Sequence, residues 1–163
     1  MKITSVRHDN RKKAFEVATR DERYWFPFAK LRLRPTQANP VTNVHVDGEL
    51  GKEAFTYELQ SGEEGTVHID QVLDYNRDPR YMRDLLLYKL TLVAQERVKG
   101  SSLSKRELIR RLGTSPAQLY RLLDQTNYSK SIDQLMALLS ILDCEVDLVI
   151  KKARRGREPI GVG

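Results

Sequence analysis

Residues 104–142 read SKRELIRRLGTSPAQLYRLLDQTNYSKSIDQLMALLSIL, a run in which three short helices each carry their own start signal. Ser104 is followed three residues on by Glu107, Ser115 by Gln118 and Ser131 by Gln134. Each pair has the form of a capping box. The serine oxygen takes an orphan amide of the first turn, and the Glu or Gln returns to the serine's own N–H. One such pair arises easily by chance; three in succession, each opening an apolar run of helical period, constrain the fold strongly. Leu108, Ile109 and Leu112 form the first stripe, and Leu119, Leu122 and Leu123 the second. Between them, Gly113 supplies the left-handed residue a helix end favours, and Pro116 stands in the next first turn, where a missing N–H costs nothing. Helix, short glycine turn and helix make the helix-turn-helix layout.

This run resembles the lambda-repressor-like (XRE-type) DNA-binding domain, in which a tight glycine turn sets the second helix into the major groove. Gly113 falls at that family's turn glycine, and Leu119 and Leu122 at its buried recognition-helix positions. Ile109 stands where the family usually has a small alanine, so the resemblance implies splayed or shifted helices at that point. Helix-turn-helix units also serve as plain packing modules, and fold alone does not give function.

Charge is placed to suit nucleic acid. Of the net +6, residues 1–98 contribute about +1, with sixteen Lys and Arg against fifteen Asp and Glu. From residue 99 onward the balance is twelve against seven, about +5. A basic segment beside a neutral one is what phosphate contact needs. The bland alternative is a solvated surface with a basic tail. No stretch approaches the roughly 18 uninterrupted apolar residues of a membrane span. MKITSVRHDNRKK lacks the apolar centre of a secretory signal, and the single Cys144, set between Leu142 and Val146, is expected as a buried thiol. The chain is expected to be cytoplasmic, with no membrane association.

The first part of the chain has period two. Residues 15–19, 44–46, 55–59 and 66–69 alternate polar and apolar, separated by Asp9-Asn10, Asp47-Gly48, Gly51 and Ser61-Gly62. Residues 54–69 read as a hairpin, and Leu31–Arg34 as a strand or a single turn. The text AFTYELQSGEEGTVHID is similar to small β-rich domains of the DUF2442 type; the likeness spans one hairpin and implies at most a fold. Asp78 as N-cap and Pro79 at the first position open a helix over residues 79–99, with Met82, Leu85, Leu86, Leu90, Val93 and Ala94 as its apolar face. In the repressor-like reading, the C-terminal half of that helix is the first of the DNA-binding domain. Residues 145–150 alternate like an edge strand, and a basic tail follows, disordered toward its end. The expected architecture is α+β: a mainly antiparallel sheet domain over 1–77, a helix-turn-helix domain with a C-terminal strand over 78–150, and a tail over 151–163.

No enzyme chemistry emerges. His8, His45 and His68 lack the spacing of a helical metal pair, no second cysteine is present, and there is no G-x-S-x-G, P-loop or dinucleotide glycine pattern. Neither catalytic residues, nor a metal, nor a cofactor is expected. Tyr24-Trp25-Phe26-Pro27-Phe28 reads as sheet core, with a stacking platform for nucleic acid as the alternative.

If the second helix enters the groove, Ser115, Pro116, Ala117, Tyr120, Arg121 and Asp124 face the bases. Arg121 is the one side chain there able to pair bidentately with guanine. Lys105, Arg106, Arg110, Arg111, Gln118, Thr126, Asn127 and Lys130 are the candidate phosphate contacts. The expected partners are double-stranded DNA, a second copy of the chain, and a protein held through the N-terminal domain, as in antitoxin-like repressors. The competing reading is a non-catalytic interaction module in which the β portion binds a protein or small ligand and the helices bind no DNA.

Overall fold

A computed structural model of the chain describes residues 1–152, which divide into two compact units, Met1–Tyr81 and Met82–Lys152. In the first unit, β1 (Ile3–Asp9), β2 (Ala14–Thr19) and β3 (Arg23–Pro27) form one antiparallel sheet in the order β1-β2-β3. The second sheet is β4 (Val41–Val46), β5 (Ala54–Leu59) and β6 (Glu64–His68), in the order β4-β5-β6. β1 and β4 lie side by side, tied by Asn10, whose amide donates to the Val41 carbonyl at 2.9 Å and accepts from its N–H at 3.3 Å. A short helix, α1 (Ile69–Asn76), packs against β3 and β6 and so closes the gap between the outer strands of the two sheets.

Phe15 is the centre of this unit, with Phe28 and Phe55 rings at 4.9 Å and Tyr57 at 5.2 Å. The aromatic run divides as strand alternation requires. Tyr24, Phe26 and Phe28 are buried, while Trp25 is half-buried beneath Lys12 Nζ, 4.6 Å from the ring centre. The run is therefore mostly core. Gly65 on β6 faces Tyr57: a Cβ there would sit on the tyrosine hydroxyl and ring. That hydroxyl is fixed by donating to the Leu33 carbonyl at 2.7 Å.

Four details differ from the sequence reading. β1 and β3 are additional strands. Residues 31–34 form neither strand nor helix; the turn lies just before them, at Phe28–Lys30. Helix α1 was not among the expected elements, and Ile69, read as the end of the hairpin, is its first residue. That helix is opened by His68, whose Nδ1 accepts from Asp70 N–H at 3.2 Å while Gln71 accepts from His68 N–H at 3.0 Å. At the next helix the expected cap forms. Asp78 accepts from the amides of Arg80 at 3.1 Å and Tyr81 at 3.0 Å, opening α2 (Pro79–Gly100), and the division between units falls within its first turn.

The helical unit continues with α3 (Lys105–Leu112), α4 (Pro116–Leu123) and α5 (Ile132–Ile141), around a core of Leu87, Ala94, Leu108, Leu119, Leu122, Leu135, Leu138 and Leu139. The buried face of α2 is only in part the expected one: Ala94 is buried and Leu90 packs against the core, as expected. Leu87, Thr91 and Ala94 are buried, whereas Met82, Leu86 and Val93 are exposed. Thr91 is tolerated there because its hydroxyl donates to the Leu87 carbonyl at 2.6 Å. The expected strand over 145–150 is absent. These residues have no regular structure, and no segment of the described chain pairs with them. Cys144 is half-buried, its thiol 3.6 Å from the Leu142 carbonyl. Most of the basic tail, residues 153–163, lies outside the described residues.

Candidate nucleic-acid interface

All three serine caps form, but only from one side. Ser104, Ser115 and Ser131 accept from the amides of Glu107 at 3.1 Å, Gln118 at 3.2 Å and Gln134 at 3.3 Å. The return bonds expected of capping boxes do not form. Glu107 instead turns to the last turn of its own helix and accepts from Arg110 Nε and Arg111 Nε, both at 3.0 Å. One turn of helix separates these side chains, so the ion pair forms at helical spacing. Hydrogen bonds from Arg110 and then Arg111 hold the Glu107 carboxyl down at about 2.

A group whose folded pKa lies below its unfolded value stabilises the fold above the ordinary carboxyl range. That contribution is lost as pH falls through the folded value. Thermal unfolding of Glu107→Gln should therefore vary less between pH 5 and pH 2 than that of the parent chain. Parallel curves would show that the pair contributes nothing.

Gly113 ends α3 in the left-handed conformation, φ 64° and ψ 37°. Its N–H reaches the Arg110 carbonyl and that of Thr114 the Ile109 carbonyl, both at 3.2 Å. These two bonds are a Schellman close. They turn the chain directly into Ser115, so only three residues, Gly113, Thr114 and Ser115, separate α3 from α4.

Burial of Leu119 and Leu122 turns the opposite side of α4 to solvent. Ser115, Pro116, Ala117, Gln118, Tyr120, Arg121 and Asp124 are all exposed there. Lys105, at the start of α3, reaches across with Nζ 5.2 Å from the Tyr120 ring centre. Arg106 and Arg121 are exposed and have no carboxylate partner among the described residues. Asp124 is differently occupied. It accepts from the Thr126 amide at 2.9 Å and hydroxyl at 2.8 Å, which hold its carboxyl below the ordinary value. It shapes the loop after α4, and Thr126 is held in the same contact.

Four successive carbonyls at the end of α4 are taken by side chains. Asn127 donates to that of Arg121 at 3.2 Å, Lys130 to Leu122 at 2.9 Å, Gln95 from α2 to Leu123 at 2.7 Å, and Lys130 again to Asp124 at 2.7 Å. The carbonyls of Arg121 and Asp124 also accept from the backbone N–H groups of Asp124 and Asn127, at 3.4 and 3.2 Å; those of Leu122 and Leu123 would otherwise be orphans of the helix end, and no glycine close is available here. Lys130 is thus misplaced among the candidate phosphate contacts. It is 8% exposed, and its ammonium faces the end of α4. Neither Lys130 nor Gln95 carries a local sequence signal for this role, because each acts across a loop or from another helix.

Elsewhere, His45 and His68 stand on β4 and β6 with β5 between them, and His68 serves as the α1 cap. No group of His, Cys, Asp or Glu able to hold a metal gathers among the described residues. None of the described helices is long and apolar enough to cross a membrane. The β unit carries a cavity of about 810 Å³ lined by Lys12, Lys13 and Arg34 beside Phe28 and Pro35, with no carboxylate in its wall.

Residues 95–148 match the family model of the Cro/C1-type helix-turn-helix DNA-binding domain. The match begins inside α2 and runs through α3, α4 and α5. No curated protein and no solved structure matched the chain. The DUF2442-type likeness of the hairpin finds no support in these comparisons.

Proposed function

We propose that this chain, with a Cro/C1-type helix-turn-helix match over residues 95–148, is a transcription regulator that lays α4 in the major groove. The observation that carries this reading is the solvent-facing side of α4, free of core contacts and fixed at both helix ends by named bonds. Arg121 is its guanine-reading side chain, and Tyr120 gives a phenol contact. Pro116 and Ala117 offer apolar contact and Ser115 a short hydroxyl. Lys105 and Arg106 meet phosphates with full charge, while Arg110 and Arg111 reach them only by leaving Glu107. Gln118 and Asn127 contribute uncharged contacts.

With so few base-reading groups per copy, the reading requires two copies on half-sites about one turn (~34 Å) apart. Its finer form is antitoxin-like: the helical unit represses while the β unit holds a partner protein. The basic cavity of the β unit supports a second reading, in which that unit is an anion-binding interaction module whether or not the helices meet DNA. A protein that retains an anionic ligand but shifts no duplex at low salt would favour this second reading.

Binding of duplex DNA is the test. Lys105 and Arg106 from two copies give about four phosphate contacts, so log affinity should fall with log salt at a slope near −4. Arg121→Ala should cost about 1–3 kcal/mol on the preferred sequence and flatten selection at one base position in each half-site. A uniform loss on every sequence would make Arg121 a phosphate contact. No shift of any duplex pool at low salt would remove the DNA reading.

A further inference from the structure

The turn between β1 and β2, the segment after β3 and the loop before β4 enclose the cavity of about 810 Å³ in the β unit. That is the size of a small-molecule site. Two kinds of side chain meet in its wall: Lys12, Lys13 and Arg34 bring positive charge, while Phe28, Pro27 and Pro35 bring apolar surface. None of the three cations has a carboxylate partner among the described residues. Asp9, the nearest carboxylate along the chain, is occupied by its own turn. Its Oδ1 accepts from the amides of Arg11 at 2.9 Å and Lys12 at 3.0 Å.

The wall is fixed from both sides. Phe28 N–H donates to the Lys13 carbonyl at 2.8 Å, which ties the β1–β2 turn to the segment after β3. Thr36 and Asn39 exchange backbone bonds at 3.1 Å, and the Asn39 side chain accepts from Ser61 N–H at 2.9 Å. The loop before β4 is thereby anchored to the β5–β6 turn. Lys13 itself is left-handed, with φ 52°. That conformation favours glycine or asparagine, and a lysine held in it carries strain. The chain thus places a long cation where the turn geometry favours a small residue.

We propose that this cavity binds a small organic phosphate, its head on Lys13 and Arg34 and a flat apolar body against Phe28 and the prolines. The proposal rests on the anion-binding reading of the β unit and names the ligand class for it. Three cations without counter-charge suit a phosphate monoester, close to a dianion at neutral pH, better than a single carboxylate. Arg34 spends only Nε, on the Leu31 carbonyl at 3.4 Å, and its terminal nitrogens make no bond among the described residues. They can take a phosphate in the paired geometry a guanidinium favours. Prolines offer no N–H, so at those positions the wall has only apolar surface to give. A concave site with such a wall suits a compact ligand and not the convex backbone of a duplex.

The test uses the full-length chain and three probes: 1-naphthyl phosphate, inorganic phosphate as the head alone, and 1-naphthol as the body alone. Trp25, the sole tryptophan, lies 4.6 Å from Lys12 Nζ, so its one indole N–H signal in an NMR spectrum reports the cavity. Calorimetry supplies the affinities. Naphthyl phosphate should move that signal and bind at least about tenfold more tightly than either part, since charged bonds and apolar burial both contribute. Lys13→Gly should weaken it about tenfold without lowering the thermal midpoint, because glycine is at ease in the left-handed turn. Arg34→Lys should weaken it too, although the charge is kept, because the planar fork is lost.

Inorganic phosphate that binds as tightly as naphthyl phosphate, with both weakened in Lys13→Gly, leaves the anion-binding reading standing and overturns the ligand class. No response to either phosphate removes both. Naphthyl phosphate affinity unaltered in Lys13→Gly and Arg34→Lys overturns the site. Low-salt duplex affinity that falls in Lys13→Gly, with no response to naphthyl phosphate, makes these cations nucleic-acid contacts instead.

Discussion

Replacing Lys130 by Met should destabilise the helical unit by about 2–4 kcal/mol and leave the salt slope of DNA binding unchanged. The cost lies in what the ammonium holds. It donates to the carbonyls of Leu122 and Asp124 at 2.9 and 2.7 Å, bonds from a charged donor that contribute about 1.5–3 kcal/mol each. Relief from burying the charge offsets part of that sum. Methionine keeps most of the aliphatic stem, so the loss reports the ammonium and not the packing. Urea unfolding followed by circular dichroism measures the first quantity; DNA titration at several salt concentrations, corrected for the folded fraction, measures the second. Unchanged stability with a slope reduced by about one would return Lys130 to the phosphate contacts.

Asp78→Ala should cost the β unit a similar amount, about 2–4 kcal/mol, through two losses at one carboxylate. The first is the α2 cap, worth about 0.5–2 kcal/mol. The second is the partner of Tyr24, whose hydroxyl donates to Asp78 Oδ2 at 2.8 Å in a buried site. An orphaned buried donor costs about 1–3 kcal/mol. Burial, and then the bond to Asp78, push the Tyr24 hydroxyl up to about 12.

For Asp78 itself, burial raises the pKa, but the Tyr81 amide, the Tyr24 hydroxyl and Arg80 bring it below the ordinary value of 3.8. The carboxylate therefore stabilises the fold above that value, and its contribution disappears as pH falls through the lowered one. Parent and variant should differ most near neutral pH and converge in acid. A constant difference down to acid would mean that the methylene packing of Asp78, not its charge, stabilises the site.

Local chemistry was the legible part of this fold. Ser104, Ser115, Ser131, Gly113, Pro116 and Asp78 each act on backbone within a few residues, and the structure places each of them at a helix end. The hairpin over β5 and β6 was legible for the same reason. What failed needed knowledge of distant partners. The face of α2 was ambiguous because Leu85, Leu86, Leu87, Leu90, Leu92 and Val93 surround the helix, leaving no period to choose a side. The true core face includes Thr91, which hydropathy counts against. Helix α1 had a readable signal in Ile69, Val72 and Leu73, but it is short and opens on histidine, an uncommon cap.

The candidate interface divided along the same line. Which side of α4 meets solvent followed from two leucines. Which cations are available did not, since Lys130 is claimed by the end of α4, and Arg110 and Arg111 by Glu107.

That last claim bears on discrimination between DNA and any other polyanion. A helix that carries an internal counterion must surrender it before its arginines can grip a phosphate. Trading one anion for another returns little free energy, because the new contact replaces one of the same kind. Two of the five arginines and lysines between Lys105 and Arg121 are therefore muted toward indiscriminate binding. Under the proposed reading, a duplex that also satisfies Arg121 and Tyr120 gains what an arbitrary one does not, and Glu107→Gln should raise affinity for arbitrary duplexes more than for the preferred one.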